Sequence, residues 1–182
     1  VDQGWGVAKY LLEFERGGSA YAPGLQIRAD KIEENAKSVP GDDGQSLFDD
    51  PLFEAKLADA RCQIDVLEMT ELRLLSAASQ AGAGSSTGAL SSMTKVLGTE
   101  LAQEMTEIAL EAAGPQGSVY QPHATMPGGP LPHYEAPADG YVSGETWQAL
   151  APMRYMNERA GSIYAGSNEI QRNILAKMVL GL

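Results

Sequence analysis

PLFEAKLADARCQIDVLEMTELRLLSAASQ, residues 51–80, places Phe53, Leu57, Ala60, Ile64, Leu67, Leu74 and Ala78 at alternating three- and four-residue spacings. Residues so spaced share one side of an α-helix, and Glu54, Asp59, Glu68 and Arg73 fall away from that stripe. Asp50-Pro51 supplies the start signal: an aspartate whose side chain can accept a first-turn N–H, then a proline where no N–H is needed. The segment is one long amphipathic helix, which can bury its apolar stripe only against other elements. Cys62, within two residues of Ile64, reads as a small buried hydrophobe, and a lone cysteine forms no internal disulfide.

The same pattern recurs on both sides. AGAGSSTG (81–88) has the small residues of a connector, and Leu90, Met93, Leu97, Leu101, Met105, Ile108 and Ala112 then form a second stripe that stops at Gly114-Pro115. Upstream, Trp5 to Lys37 is helical in pattern, with Trp5, Ala8, Leu12, Leu25, Ile32 and Ala36 as its apolar positions. Gly17-Gly18 and Pro23-Gly24 predict a kink or break there. Ser38 to Asp50 has loop composition. Residues of about 115–144 hold most of the prolines without a sustained apolar period and predict one long loop. A helix from about Glu145 to Glu158 follows. A last one runs from Ser167 to Leu180, with Ile170, Ile174, Met178 and Leu182 expected inward.

No strand pattern or internal repeat is present. Stripes of this kind bury one another most simply in an all-α, up-and-down four-helix bundle, one domain over residues 1–182. At 43% apolar composition the chain can bury a sizeable core. A net charge of −11 and a pI near 4.5 disfavour nucleic acid. An anionic ligand would need local cations, for which Arg16 and Arg172 are candidates. No apolar run reaches the length of a membrane span, and the first residues do not read as a secretory signal. A reduced, cytoplasmic setting is expected. His123 and His133 lack partners at ligand spacing, so no metal site is expected. The chain opens inside a helical pattern without a methionine, as a piece of a longer protein would.

The final segment, IYAGSNEIQRNILAKMVLGL (163–182), resembles the C-terminal signature of the acyl-CoA dehydrogenases: Ile-Tyr, then Gly-Thr/Ser, then EIQRNI and a closing Leu-Gly. GWGVAKYLLEFER (4–16) resembles the family's junction between its middle and last domains. SMTKVLGTELAQEMTEIALEAAG (92–114) is similar to its third long helix. The resemblance implies a flavoprotein with an N-terminal helical domain and a middle β domain, both absent from these 182 residues, and a C-terminal helical bundle, which the chain supplies. It implies FAD as cofactor, an acyl-CoA as substrate and α,β-dehydrogenation as the reaction. Electron-transfer flavoprotein is the implied acceptor, and an oligomer of identical or related subunits the implied assembly.

In that reaction a carboxylate removes the α proton while the β hydride passes to the flavin. The α proton of a thioester is weakly acidic, so a placed base and donors to the enolate oxygen are needed. Many relatives carry the base immediately before the Gly-Thr/Ser, where this sequence has Ala165. Others carry it on the first helix before an arginine, and Glu15-Arg16 matches that position. The resemblance thus implies Glu15 as base, the Ala165 N–H as donor to the thioester carbonyl, and Arg16 and Tyr164 as substrate-binding residues. Gly166, Ser167 and Glu169 are the implied FAD contacts. DDGQSLFDDPLFEAKLAD (42–59) and EAAGPQG (111–117) depart from the family's other cofactor segments. Without the resemblance, Glu15 reads as an ordinary helix carboxylate and Gly166-Ser167 as a turn and N-cap. A noncatalytic subunit of a hetero-oligomeric flavoprotein, and an oxidase-type relative, remain as alternatives.

Overall fold

The computed structural model describes residues 3–17, 20–41, 44–81, 88–121 and 143–182, with backbone alone for residues 9, 12–17, 81 and 88. Most of the long loop, with His123 and His133, and residues 82–87 of the small-residue connector lie outside the described residues. Among the described residues six α-helices follow in order: α1 (Gly4–Gly17), α2 (Ala22–Ser38), α3 (Pro51–Ala81), α4 (Gly88–Ala113), α5 (Thr146–Glu158) and α6 (Asn168–Leu175). Among the described residues the only β pairing is a bridge between Pro40 and Ser46. The all-α bundle expected from the stripes is therefore present.

Local chemistry sets the helix ends. Asp50 accepts the Leu52 N–H at 2.8 Å ahead of Pro51, so α3 begins where its start signal stands. At the other break the expectation needs correcting. Gly17 ends α1, but Pro23 sits in the first turn of α2, where its missing N–H costs nothing, and Pro23-Gly24 interrupts no helix. The start of α2 is capped from outside by Glu71, a buried carboxylate of α3. Its oxygens accept the Tyr21 N–H at 2.6 Å and the Ala22 N–H at 3.3 Å. Glu71 occupies the stripe position between Leu67 and Leu74. There its charge meets two donors and the positive end of a helix.

The core is a seam of α2 (Ala22, Leu25, Ala29, Ile32, Ala36), α3 (Phe53, Leu57, Ala60, Ile64, Leu67) and α4 (Leu101, Met105, Ile108, Ala112). Polar pairs fix its direction. Glu71 meets the start of α2, Arg61 reaches Asp30 and Glu33 farther along, and Lys56 pairs with Glu111 near the end of α4. Neighbours α2, α3 and α4 thus alternate in direction, and α4 packs against each of the other five helices. Cys62 is exposed, not buried: it lies two residues, about 200° of helix, from both Ala60 and Ile64. Ala78 and Leu97 also leave their predicted stripes, and Trp5 is exposed. Val66, Met69, Leu72 and Leu75 remain exposed along the outer side of α3.

Gly98 lets the Tyr21 ring lie directly on α4, and a Cβ there would overlap ring carbons and stand 2.9 Å from the Tyr21 Cβ. Gly98→Ala gains up to about 1 kcal/mol of helix propensity. It also overpacks a site whose neighbour is the stem of a ring, typically costing about 1–3 kcal/mol. A net lower melting temperature is expected. A stabilised variant would show that Tyr21 moves freely.

The long excursion is pinned at its base. Gln121, buried, donates to the Ser143 carbonyl and accepts the Ser143 N–H, each at 3.0 Å, so the chain leaves and re-enters the bundle at one point. Downstream, Gln148 reaches the Ala113 carbonyl, and Arg159 binds Glu107 and the Gln103 carbonyl, which sets α5 antiparallel to α4.

Candidate functional site

Beside its apolar seam, α4 carries a second row of inward residues that is polar: Ser92, Lys95, Thr99, Gln103 and Thr106. This row faces the chain between α5 and α6, the segment of the C-terminal motif. A 3-10 turn, Arg159–Ser162, leads through Ile163 and Tyr164 into two successive left-handed residues, Ala165 (φ 55°) and Gly166 (φ 83°). Glycine adopts that conformation freely. For alanine it costs about 1–2 kcal/mol, so the surroundings must hold it.

Gln171 does so. Fully buried on α6, its Nε2 donates to the carbonyls of Ala165 at 3.3 Å and Gly166 at 3.2 Å, while its Oε1 accepts the Ser92 hydroxyl at 2.8 Å. One amide therefore ties both left-handed residues to α4. Asn168, the first residue of α6, accepts the Lys95 ammonium at 2.7 Å and donates to the Thr99 hydroxyl at 3.1 Å, which itself donates to the Lys95 carbonyl. Arg172 and Glu100 form an ion pair on the outer side of this contact. Among the described residues no acceptor meets the Ala165 N–H.

Of the expected site residues of this segment, Ala165, Gly166 and Ser167 are half-buried and Tyr164 and Glu169 are exposed. Tyr164 and its neighbour Ile163 are largely exposed, and Ser167 stands at the N-cap position of α6. The Glu169 carboxyl lies below the usual carboxylate range because its own backbone N–H, then the Ser167 hydroxyl, bind it, with Arg172 and Lys95 adding to the effect. Burial pushes the Tyr21 phenol up, assisted by Tyr164, Glu71 and Glu158. Glu15 and Arg16 lie in the last turn of α1, which packs on α4, but their side chains lie outside the described residues. Among the described residues no group of three His, Cys, Asp or Glu side chains converges as a metal site would require, and no helix is long and apolar enough to cross a membrane.

Sequence reasoning missed Ser92, Lys95, Thr99, Asn168 and Gln171. For the first three the signal was a second helical period of polar residues on α4, offset by about two positions from the apolar stripe. Burial pushes Lys95 below its ordinary value, although Glu169 and Glu100 oppose it. Between the depressed folded value and the ordinary one, the unfolded chain binds the extra proton, so stability rises with pH through that window. The stability of the wild type relative to Lys95→Met is therefore expected to increase as pH approaches the ordinary lysine range. A pH-independent difference between their melting curves would contradict this.

A family model described as acyl-CoA dehydrogenase, C-terminal domain, matches residues 2–180. The acyl-CoA dehydrogenase family includes this chain. Acyl-CoA dehydrogenase IpdE1 of Mycolicibacterium smegmatis is 32% identical over 179 residues, covering 98% of this chain and 37% of that protein. IpdE1 of Mycobacterium tuberculosis is 31% identical over 183 residues, covering 98% and 38%. The chain thus spans well under half the length of these acyl-CoA dehydrogenases. Its fold matches a chain of the ChsE4-ChsE5 complex from Mycobacterium tuberculosis, with a TM-score of 0.70 at 23% identity, over 98% of this chain and 41% of that one.

Proposed function

We propose that this chain is the C-terminal helical part of an FAD-dependent enzyme that dehydrogenates an acyl-CoA thioester between its α and β carbons. N-terminal helical and middle β domains would lie outside these residues. The observation that carries the reading is the left-handed Ala165–Gly166 turn, held by a buried amide and leaving the Ala165 N–H without an acceptor among the described residues. A fixed backbone donor, on a half-buried residue at the edge of the bundle, is what a developing enolate oxygen requires.

The donor set suits a flavin on the same edge. Gly166 brings backbone close without a side chain, Ser167 offers a hydroxyl, and Glu169, an ionised acceptor, suits the hydroxyl groups of FAD rather than its pyrophosphate. FAD, when bound, takes up the hydride from the β carbon. The chain's own residues do the rest: Glu15 accepts the α proton, and the Ala165 N–H binds the thioester oxygen. Arg16 meets the thioester or a CoA phosphate, and Tyr164 faces the acyl group. Electron-transfer flavoprotein would serve as the electron acceptor. The exposed apolar row on α3 supports assembly with identical or related subunits, since such surface is seldom left uncovered.

Ala165 itself favours a second reading, a noncatalytic subunit paired with an active relative, because no carboxylate stands in the turn. Anaerobic mixing of the full-length, FAD-loaded protein with straight, branched and polycyclic acyl-CoA thioesters separates the two. Bleaching of the flavin with formation of enoyl-CoA supports the enzyme, and persistence of that bleaching in air excludes an oxidase. A flavin left oxidised by the whole panel makes the chain a noncatalytic subunit.

A further inference from the structure

We propose that Gln171 is a positioning residue for the thioester, aiming the Ala165 N–H by clamping the turn that carries it; this rests on the reading of Ala165 as the carbonyl donor. Two independent features of the structure lead there. Ala165 holds a positive φ without the glycine that such a conformation favours, and Gln171 spends its whole amide on the carbonyls of Ala165 and Gly166 and on α4.

The orientation of that amide is determined by its partners. The two carbonyls can only accept, so the NH2 end must face them, and the oxygen end is left to accept the Ser92 hydroxyl. Ser92 is itself buried in α4, the helix on which α1 also packs. The clamp therefore refers the donor to the same helix that supports the segment bearing Glu15. Without the clamp, the turn relaxes toward the backbone that alanine prefers, and the carbonyl and N–H directions of residues 164–166 rotate with it. Asn168 and Lys95 would still seat the start of α6, so the loss is confined to the turn.

The test uses the full-length, FAD-loaded protein and reads the carbonyl stretch of a bound enoyl-CoA by isotope-edited infrared difference, together with kcat and KM. In the wild type the stretch lies below its value in solution, because the Ala165 N–H polarises the bond. Gln171→Met keeps volume but removes every hydrogen bond of the amide. It is expected to return the stretch toward the solution value and to lower kcat on the order of 10²-fold, the scale of a reacting group displaced by about an ångström. KM and flavin content should stay close to wild type. Ala165→Gly in that background, which no longer strains the turn, is expected to recover part of both changes. Should Gln171→Met fail to fold, Ser92→Ala serves instead: it keeps the amide but frees its orientation, and should move both readouts the same way by less. A shifted carbonyl and full kcat retained in these variants overturn the inference alone. A wild-type carbonyl that does not shift on binding overturns the reading of Ala165 as donor, and the inference with it.

Discussion

Glu15→Gln in the full-length, FAD-loaded protein is expected to slow flavin reduction by acyl-CoA by about 10²–10⁴-fold, the usual contribution of a placed general base. Glutamine keeps the shape of the side chain and much of its hydrogen bonding but has no lone pair basic enough to take the α proton. Substrate binding should survive, because the CoA portion does not depend on that proton transfer, so the loss falls on the limiting rate rather than on the half-saturating concentration. Residue 15 lies in the last turn of α1, α1 packs on α4, and α4 holds the Ala165 turn through Ser92 and Gln171. Glu15→Gln reducing its flavin as fast as the wild type would make Glu15 structural and favour the noncatalytic reading. Ala165→Glu in the Glu15→Gln background would restore a carboxylate where many relatives have theirs. Partial recovery is expected if both positions address one carbon.

The largest expected effect on stability comes from Asn168→Leu. Lys95 is essentially buried, and its ammonium meets the Asn168 Oδ1 at 2.7 Å. Leucine fills the space but leaves a buried cation without that acceptor, and a buried donor left unsatisfied costs about 1–3 kcal/mol, more when it is charged. For a chain of this size the melting temperature should fall on the order of 10 °C. Adding Lys95→Met removes the stranded charge as well, and the double variant should regain most of the loss, since replacing both members of a buried polar contact is far cheaper than replacing one. A single variant melting within a degree of the wild type would mean that Lys95 finds another acceptor at no cost.

The apolar half of the fold was legible because burial of large side chains imposes a period. Phe53 to Leu74 and Leu101 to Ala112 were expected inward and are, whereas Ala78 at the end of one stripe and Leu97 within the other are exposed. The polar half was not. Ser92, Lys95, Thr99 and Gln103 look in sequence like a solvated face, and only α6 opposite the first three and the Arg159–Ser162 turn opposite Gln103 turn that face inward. The same fact reverses α6. Ile170 was expected inward but is exposed, whereas Asn168 and Gln171 are buried, because a helix laid on a polar row buries the residues that can bond to it; Met178 and Leu182, also expected inward, lie beyond the end of α6 and are exposed. The Gly166-Ser167 turn and cap were readable from composition. That Ala165 shares the left-handed conformation was not, since nothing in an alanine signals it; the signal lay six residues on, in the glutamine that holds its carbonyl.

Anaerobic stopped-flow bleaching of the full-length protein's flavin by acyl-CoA deuterated at the α or at the β carbon tests the central claim most directly. Concerted or coupled removal of the α proton and β hydride predicts that each label slows bleaching in the wild type. The enoyl-CoA formed should retain one label of each pair. Bleaching insensitive to both labels, or none with any acyl-CoA, would contradict an α,β-dehydrogenation built on this chain.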